Sequence, residues 1–89
     1  MSRFASLRYS EVDMDVIAVK PLQNFELALS YEDGSQRRFD MKPLLALKPW
    51  NKLATAPLFS QVKVAYGTVV WPGEIDIAPE TLLLDSILL

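Results

Sequence analysis

The sequence predicts a small α+β domain: an antiparallel sheet of about five strands in the order β-β-β-α-β-β-α, with a short central helix and a C-terminal helix. Three observations lead there. Apolar and polar residues alternate with period two over 25–31 and 62–66, the signature of half-buried strands. Turn residues sit between the apolar runs, at Asp33-Gly34, Gly67 and Pro72-Gly73. Prolines at 43, 57 and 79 open short apolar runs, as proline does in a first helical turn. Strands followed by helices, without regular βαβ alternation, give an antiparallel α+β domain.

Taken in order, residues 1–11 are polar and mixed and are expected to form a loose N-terminal arm. Val16-Ile17-Ala18-Val19 is the first strand, ending at Pro21, which cannot donate to a ladder. Gln23-Asn24 turns the chain. Phe25, Leu27, Leu29 and Tyr31 then form a buried face, with Glu26, Ala28 and Ser30 opposite. Asp33-Gly34 supplies the positive φ angles of a hairpin turn, and Gln36 to Phe39 pairs back. Arg37 and Arg38 fall on opposite faces of that strand, so one of them faces the core side near its rim.

Asp40 is placed to cap a short helix from Met41, whose apolar face is Leu44, Leu45 and Leu47. Pro49 stops it. Residues 49–61 form a connection with one further helical turn, capped by Thr55, with Leu58 and Phe59 inward and Trp50 over one edge of the core. Val62, Val64 and Tyr66 make the next half-buried strand. Thr68 to Trp71 returns beside it and continues to Ile75 and Ile77. Pro79-Glu80 starts the last helix, with Asp76 as a candidate cap.

Eighty-nine residues make one domain, 1–89, which buries only about 60–65% of its unfolded surface. Without cysteine there is no disulfide or thiolate chemistry; without histidine there is no imidazole base or ligand. The N-terminus lacks the apolar segment of a secretory signal, and no run reaches the roughly 18 apolar residues of a membrane span, so a cytoplasmic protein is expected. Charge is unevenly placed. Residues 41–63 carry four lysines and no acid; residues 64–89 carry four acids and no base. Two such blocks can pair within the fold or between copies. They make no basic stripe, so direct nucleic-acid binding is not expected.

The strand ending in Pro21-Leu22, the hairpin into Asp33-Gly34, and the Phe39-Asp40 pair before Pro43 occur in a familiar order. So do Phe59, Val62, Val69-Val70-Trp71-Pro72 and Ile75-Asp76-Ile77-Ala78-Pro79-Glu80. Over about residues 15–83 the chain resembles the bacterial family called domain of unknown function 2442. The resemblance implies a small α+β fold, found alone or joined to a helical DNA-binding domain. It implies no established activity and no catalytic residues. Family members look like partners of other small proteins, some resembling toxin–antitoxin pairs. The present chain differs in its N-terminal arm and in its apolar ending, LLLDSILL.

Three functional readings compete. The favoured one is a non-catalytic protein–protein interaction or accessory module, without cofactor, metal or membrane. Its partner is another protein or a second copy. Leu82, Leu83, Leu84, Ile87, Leu88 and Leu89 surround the predicted last helix, and a helix apolar all round needs more cover than one small sheet provides. Leu83, Leu84, Ile87 and Leu88 are therefore the candidate contacts. Arg37 and Arg38 join them, as forks for a phosphate or a partner's carboxylate, or as guards of a sheet edge. The second reading is a small metal-dependent hydrolase using Glu74, Asp76 and Asp40, with Glu74 and Asp76 sharing a strand face. In the simpler view of that segment Ile75 and Ile77 are buried and the acids face water. The third is a small-ligand sensor, with Trp50, Trp71 and Tyr66 lining a pocket.

Overall fold

The computed structural model describes residues 14–89, so the N-terminal arm expected at 1–11 lies outside the described residues. Seven strands form two antiparallel sheets around one core, where the alternation predicted a single sheet of about five. The α+β class holds. The first sheet has the order β1-β2-β3-β7, with β1 Val16–Leu22, β2 Glu26–Tyr31, β3 Gln36–Asp40 and β7 Ile87–Leu88. The second is β4-β5-β6, with β4 Lys63–Ala65, β5 Thr68–Trp71 and β6 Ile75–Asp76. The described residues also hold two short α-helices, α1 at Ala56–Phe59 and α2 at Pro79–Asp85.

The β2–β3 hairpin is the frame. Leu27, Leu29 and Tyr31 are buried, as the alternation requires. Gly34 N–H donates to the Tyr31 carbonyl, and Gly34 has φ 90°. Asp33 does not share the positive φ expected of it. Its carboxylate instead accepts from the Ser35 N–H and hydroxyl, at 2.9 and 2.6 Å. β1 runs through Pro21 rather than stopping there, because it is an edge strand and the missing N–H is not needed. A bulge between Val16 and Ala18 breaks its register. That extra residue keeps Val16 buried opposite Tyr31 and turns Ile17 out, 62% exposed.

Asp40 accepts the Lys42 N–H at 2.9 Å, opening a 3-10 helix over Lys42–Ala46 in place of an α-helix. Leu44 and Leu45 pack on the core but Leu47 is exposed, because the helix ends at Ala46 and the chain turns extended at Leu47, φ −118° and ψ 150°. Met41 is fully buried from an irregular segment, and Leu53 from the end of a four-residue 3-10 helix, Trp50–Leu53, too short to carry a periodic signal. Thr55 stands before α1 without a side-chain capping bond; Phe59 N–H reaches the Thr55 carbonyl. Phe25, Phe59 and Trp71 stack in sequence, Phe25 edge-on to Phe59 at 5.2 Å. The Trp71 indole N–H donates to the Phe59 carbonyl at 2.9 Å, and the buried Thr68 hydroxyl donates to the Ile77 carbonyl at 2.7 Å.

Three expected strand positions become turns, the first being Phe25, which at φ 58° closes the 3-10 turn Gln23–Phe25 before β2. Tyr66 and Gly67 both take left-handed angles, φ 56° and 74°, and form the two-residue β4–β5 turn, which leaves Tyr66 93% exposed. Glu74, at φ 63°, belongs to the β5–β6 turn. α2 begins at Pro79 as expected, but Ala78 precedes it without any side-chain cap, so Asp76 does not serve. The helix ends at Asp85, and the residues read as its continuation form β7 instead.

Tyr31 is the exception to a well-satisfied core. Its hydroxyl is buried with no hydrogen-bond partner among the described residues. Burial pushes its pKa up, against a smaller lowering by the Arg37 charge. Removing an unsatisfied buried hydroxyl removes its desolvation cost. Tyr31→Phe is therefore expected to leave stability unchanged or raise it by up to about 1 kcal/mol, measured by urea denaturation. A loss would show that the hydroxyl has a partner.

Candidate functional site

The candidate site starts from a helix that stops early. Leu82 is the one fully buried residue of α2. After Asp85 the chain turns extended at Ser86, φ −86° and ψ 161°. Asp and Ser are weak helix formers, and β-branched Ile87 follows them. Ser86 is held from two sides. Its hydroxyl donates to the Leu83 carbonyl at 2.9 Å and accepts from the Arg37 Nε–H. The Arg37 NH2 group also donates to the Ser86 carbonyl at 3.3 Å. This anchor, 49 residues from Arg37 in sequence, delivers Ile87 and Leu88 to the free side of β3.

Register then places the predicted contacts together. Arg37 lies opposite Leu88 and Arg38 opposite Ile87. Leu89 N–H donates to the Gln36 carbonyl at 2.9 Å. Hydrogen-bonded residues alternate in an antiparallel pair, so Ile87 and Leu89 turn their amides inward and Leu88 presents both N–H and C=O outward. Leu84, Ile87, Leu88 and Leu89 are 77%, 59%, 59% and 67% exposed. Leu83 is different: it packs against the core and contributes little to this surface.

The other sheet edges are blunted. β1 carries Lys20, Pro21 and the bulge; β4 carries Lys63; β6 is two residues long and carries Asp76. β7 has no charge, proline or bulge. Arg38 makes a long contact with Glu26, at 3.5 Å, and Lys42 binds Asp40 and Glu26 at 3.0 and 3.6 Å. Arg37 has no ion-pair partner among the described residues, and neither do Glu74, Asp76, Glu80 and Asp85. The basic and acidic blocks thus do not neutralise one another within the fold.

The carboxylates proposed for chemistry are dispersed. Glu74 is in a turn, Asp76 is on β6 and exposed, and Asp40 ends β3 in the other sheet. Among the described residues no group of three or more acidic side chains stands close enough to hold a metal ion. An open groove of about 390 Å³ lies on the second sheet, lined by Lys63, Tyr66, Val70, Trp71, Glu74 and Asp76. Trp50 is not part of it, and its indole N–H is committed to the Asp76 carbonyl at 2.9 Å. No helix among the described residues is long and apolar enough to cross a membrane.

Titration sets the conditions under which the fold holds. Hydrogen bonds from Ser35 keep Asp33 below its ordinary 3.8, and the Lys42 N–H does the same for Asp40. The Asp40 bond raises Lys42. Depressed carboxylates stabilise the fold above about pH 4 and lose that contribution as pH falls through their folded values. Raised Tyr31 and Lys42 weaken the fold only as pH climbs past their ordinary 10.0 and 10.5. With no histidine in the chain, urea midpoints are expected to be flat between about pH 5 and pH 9 and to fall on either side. A step inside that window would contradict this assignment.

A family model described as a protein of unknown function, DUF2442, matches residues 16–87. No curated protein and no solved structure matches the chain.

Proposed function

The chain belongs to the DUF2442 family, and from that premise we propose that it is a non-catalytic interaction module whose β7 edge receives a strand of another protein. The single observation that supports this reading most is the unguarded edge: Leu88 offers an outward N–H and C=O, flanked by exposed Leu84, Ile87 and Leu89. An open edge of this kind is a template for strand addition, in which main-chain bonds give affinity and side chains select the sequence. The partner is a small protein of the bacterial cytoplasm, in the manner of an accessory protein or of one half of a toxin–antitoxin-like pair.

The test is the native mass of the protein isolated gently from its own host. The expected result is a mass above that of one chain, lost when Ile87 and Leu88 are both replaced by Lys. A monomer at cellular concentration, with no associated mass, would overturn the proposal.

A further inference from the structure

Among the described residues the cation at this edge has no anion paired with it. Arg37 is half-buried, and its guanidinium already reaches across β7 to the hydroxyl and carbonyl of Ser86. Ser86 is buried and extended, two residues before Leu88, so the guanidinium is held beside the start of the edge where a new strand would lie. A partly buried cation without a partner leaves desolvation uncompensated. Neither of the two polar groups beside it answers this need. Ser86 is neutral, and the Tyr31 hydroxyl, buried without a hydrogen-bond partner among the described residues, is kept protonated by that burial. Asp33 senses Arg37 only weakly, behind its bonds to Ser35, and forms no ion pair with it.

Resting on the interaction reading above, we propose that the strand docked on β7 carries a carboxylate at the position opposite Leu88, and that Arg37 is its counter-ion. Strands lie about 4.8 Å apart, so a residue opposite Leu88 stands about 10 Å from the Arg37 backbone. A glutamate and an arginine close that gap readily, with a charge-assisted bond as the product. Apolar residues on either side of the acid meet Ile87 and Leu89 on the other face. The partner segment is thus apolar–acidic–apolar in extended conformation. The edge of a second copy, Ser86-Ile87-Leu88-Leu89, carries no acidic side chain, so the acid is assigned to a different protein, with a second copy as an outcome of the test.

The probes are the peptides acetyl-Thr-Val-Glu-Val-Thr-amide and its Gln analogue, titrated into the whole protein at low salt and followed by the backbone amide shifts of Arg37 and Leu88. The Glu peptide is expected to bind at least about tenfold tighter, with the gap closing as salt is added. The gap should disappear in Arg37→Gln and persist in Arg37→Lys, which keeps the charge if the glutamine variant is poorly folded. Equal affinity of both peptides would overturn the counter-ion and leave the docking edge standing. Failure of either peptide to move Leu88 would overturn the edge and the counter-ion together. Concentration-dependent dimers joined through Leu88 would assign the edge to a second copy and remove the need for an acid.

Discussion

Leu82→Ala is expected to destabilise the protein by about 2–5 kcal/mol, the cost of emptying a fully buried leucine site. Against a total stability of about 5–15 kcal/mol this is a severe loss. The argument is local as well as volumetric. α2 has seven residues, far too few to hold together alone, and Ala78 gives it no side-chain cap. Its position therefore rests on packing, and Leu82 is its fully buried contact. β7 follows α2 directly and is only two residues long. Loosening α2 should accordingly release Ile87 and Leu89 from β3 before the sheet itself melts. Urea denaturation followed by tryptophan fluorescence measures the first effect, and amide exchange at Ile87 and Leu89 measures the second. Leu84→Ala is the control, within about 0.5 kcal/mol of the parent because the side chain is exposed. Equal behaviour of the two variants would refute the anchoring role of Leu82.

The second large effect concerns binding and leaves the fold intact. Leu88→Pro deletes an N–H that the fold does not use, at an edge position where proline is tolerated. Ile87, before it, is already extended, the conformation that a following proline favours. Stability should change by less than about 1 kcal/mol. A docked strand, however, loses its main-chain donor and meets the proline ring, so affinity for the native partner should fall at least about tenfold, or 1.4 kcal/mol. Denaturation and a pull-down from host lysate, made on the same preparation, separate the two effects. Undiminished capture with a stable fold would move the interface away from β7.

Much of this fold is legible in the sequence where the signal is short-range. The alternation over 26–31, the Asp33-Gly34 turn and the buried Ile75 and Ile77 all follow from neighbours within a few residues. The same logic misplaces Tyr66. It fits the period-two pattern of Val62 and Val64, but the chain must reverse there, and Tyr66 takes the left-handed angle beside Gly67. Leu47 is misassigned because the helix stops at Ala46 and the chain is already extended at Leu47. Met41 and Leu53 escape pattern reading, since Met41 lies in an irregular segment and Leu53 in a single 3-10 turn, too short to show a period from which to infer a buried side.

The site divides the same way. The sequence alone determined its inventory: an apolar ending, two adjacent arginines, and no histidine or cysteine for chemistry. It also determined the α+β class, because alternation, turn residues and proline positions act locally. Only the tertiary structure decided that the leucine-rich end leaves its helix at Ser86 and becomes a sheet edge. Six aliphatic residues in an eight-residue run suit a buried helix and a strand alike, so propensity could not choose between them. The choice fell to the Arg37–Ser86 bonds and to the unpaired side of β3. Both are contacts between residues far apart in the chain, and contacts of that kind exist only once the core has closed.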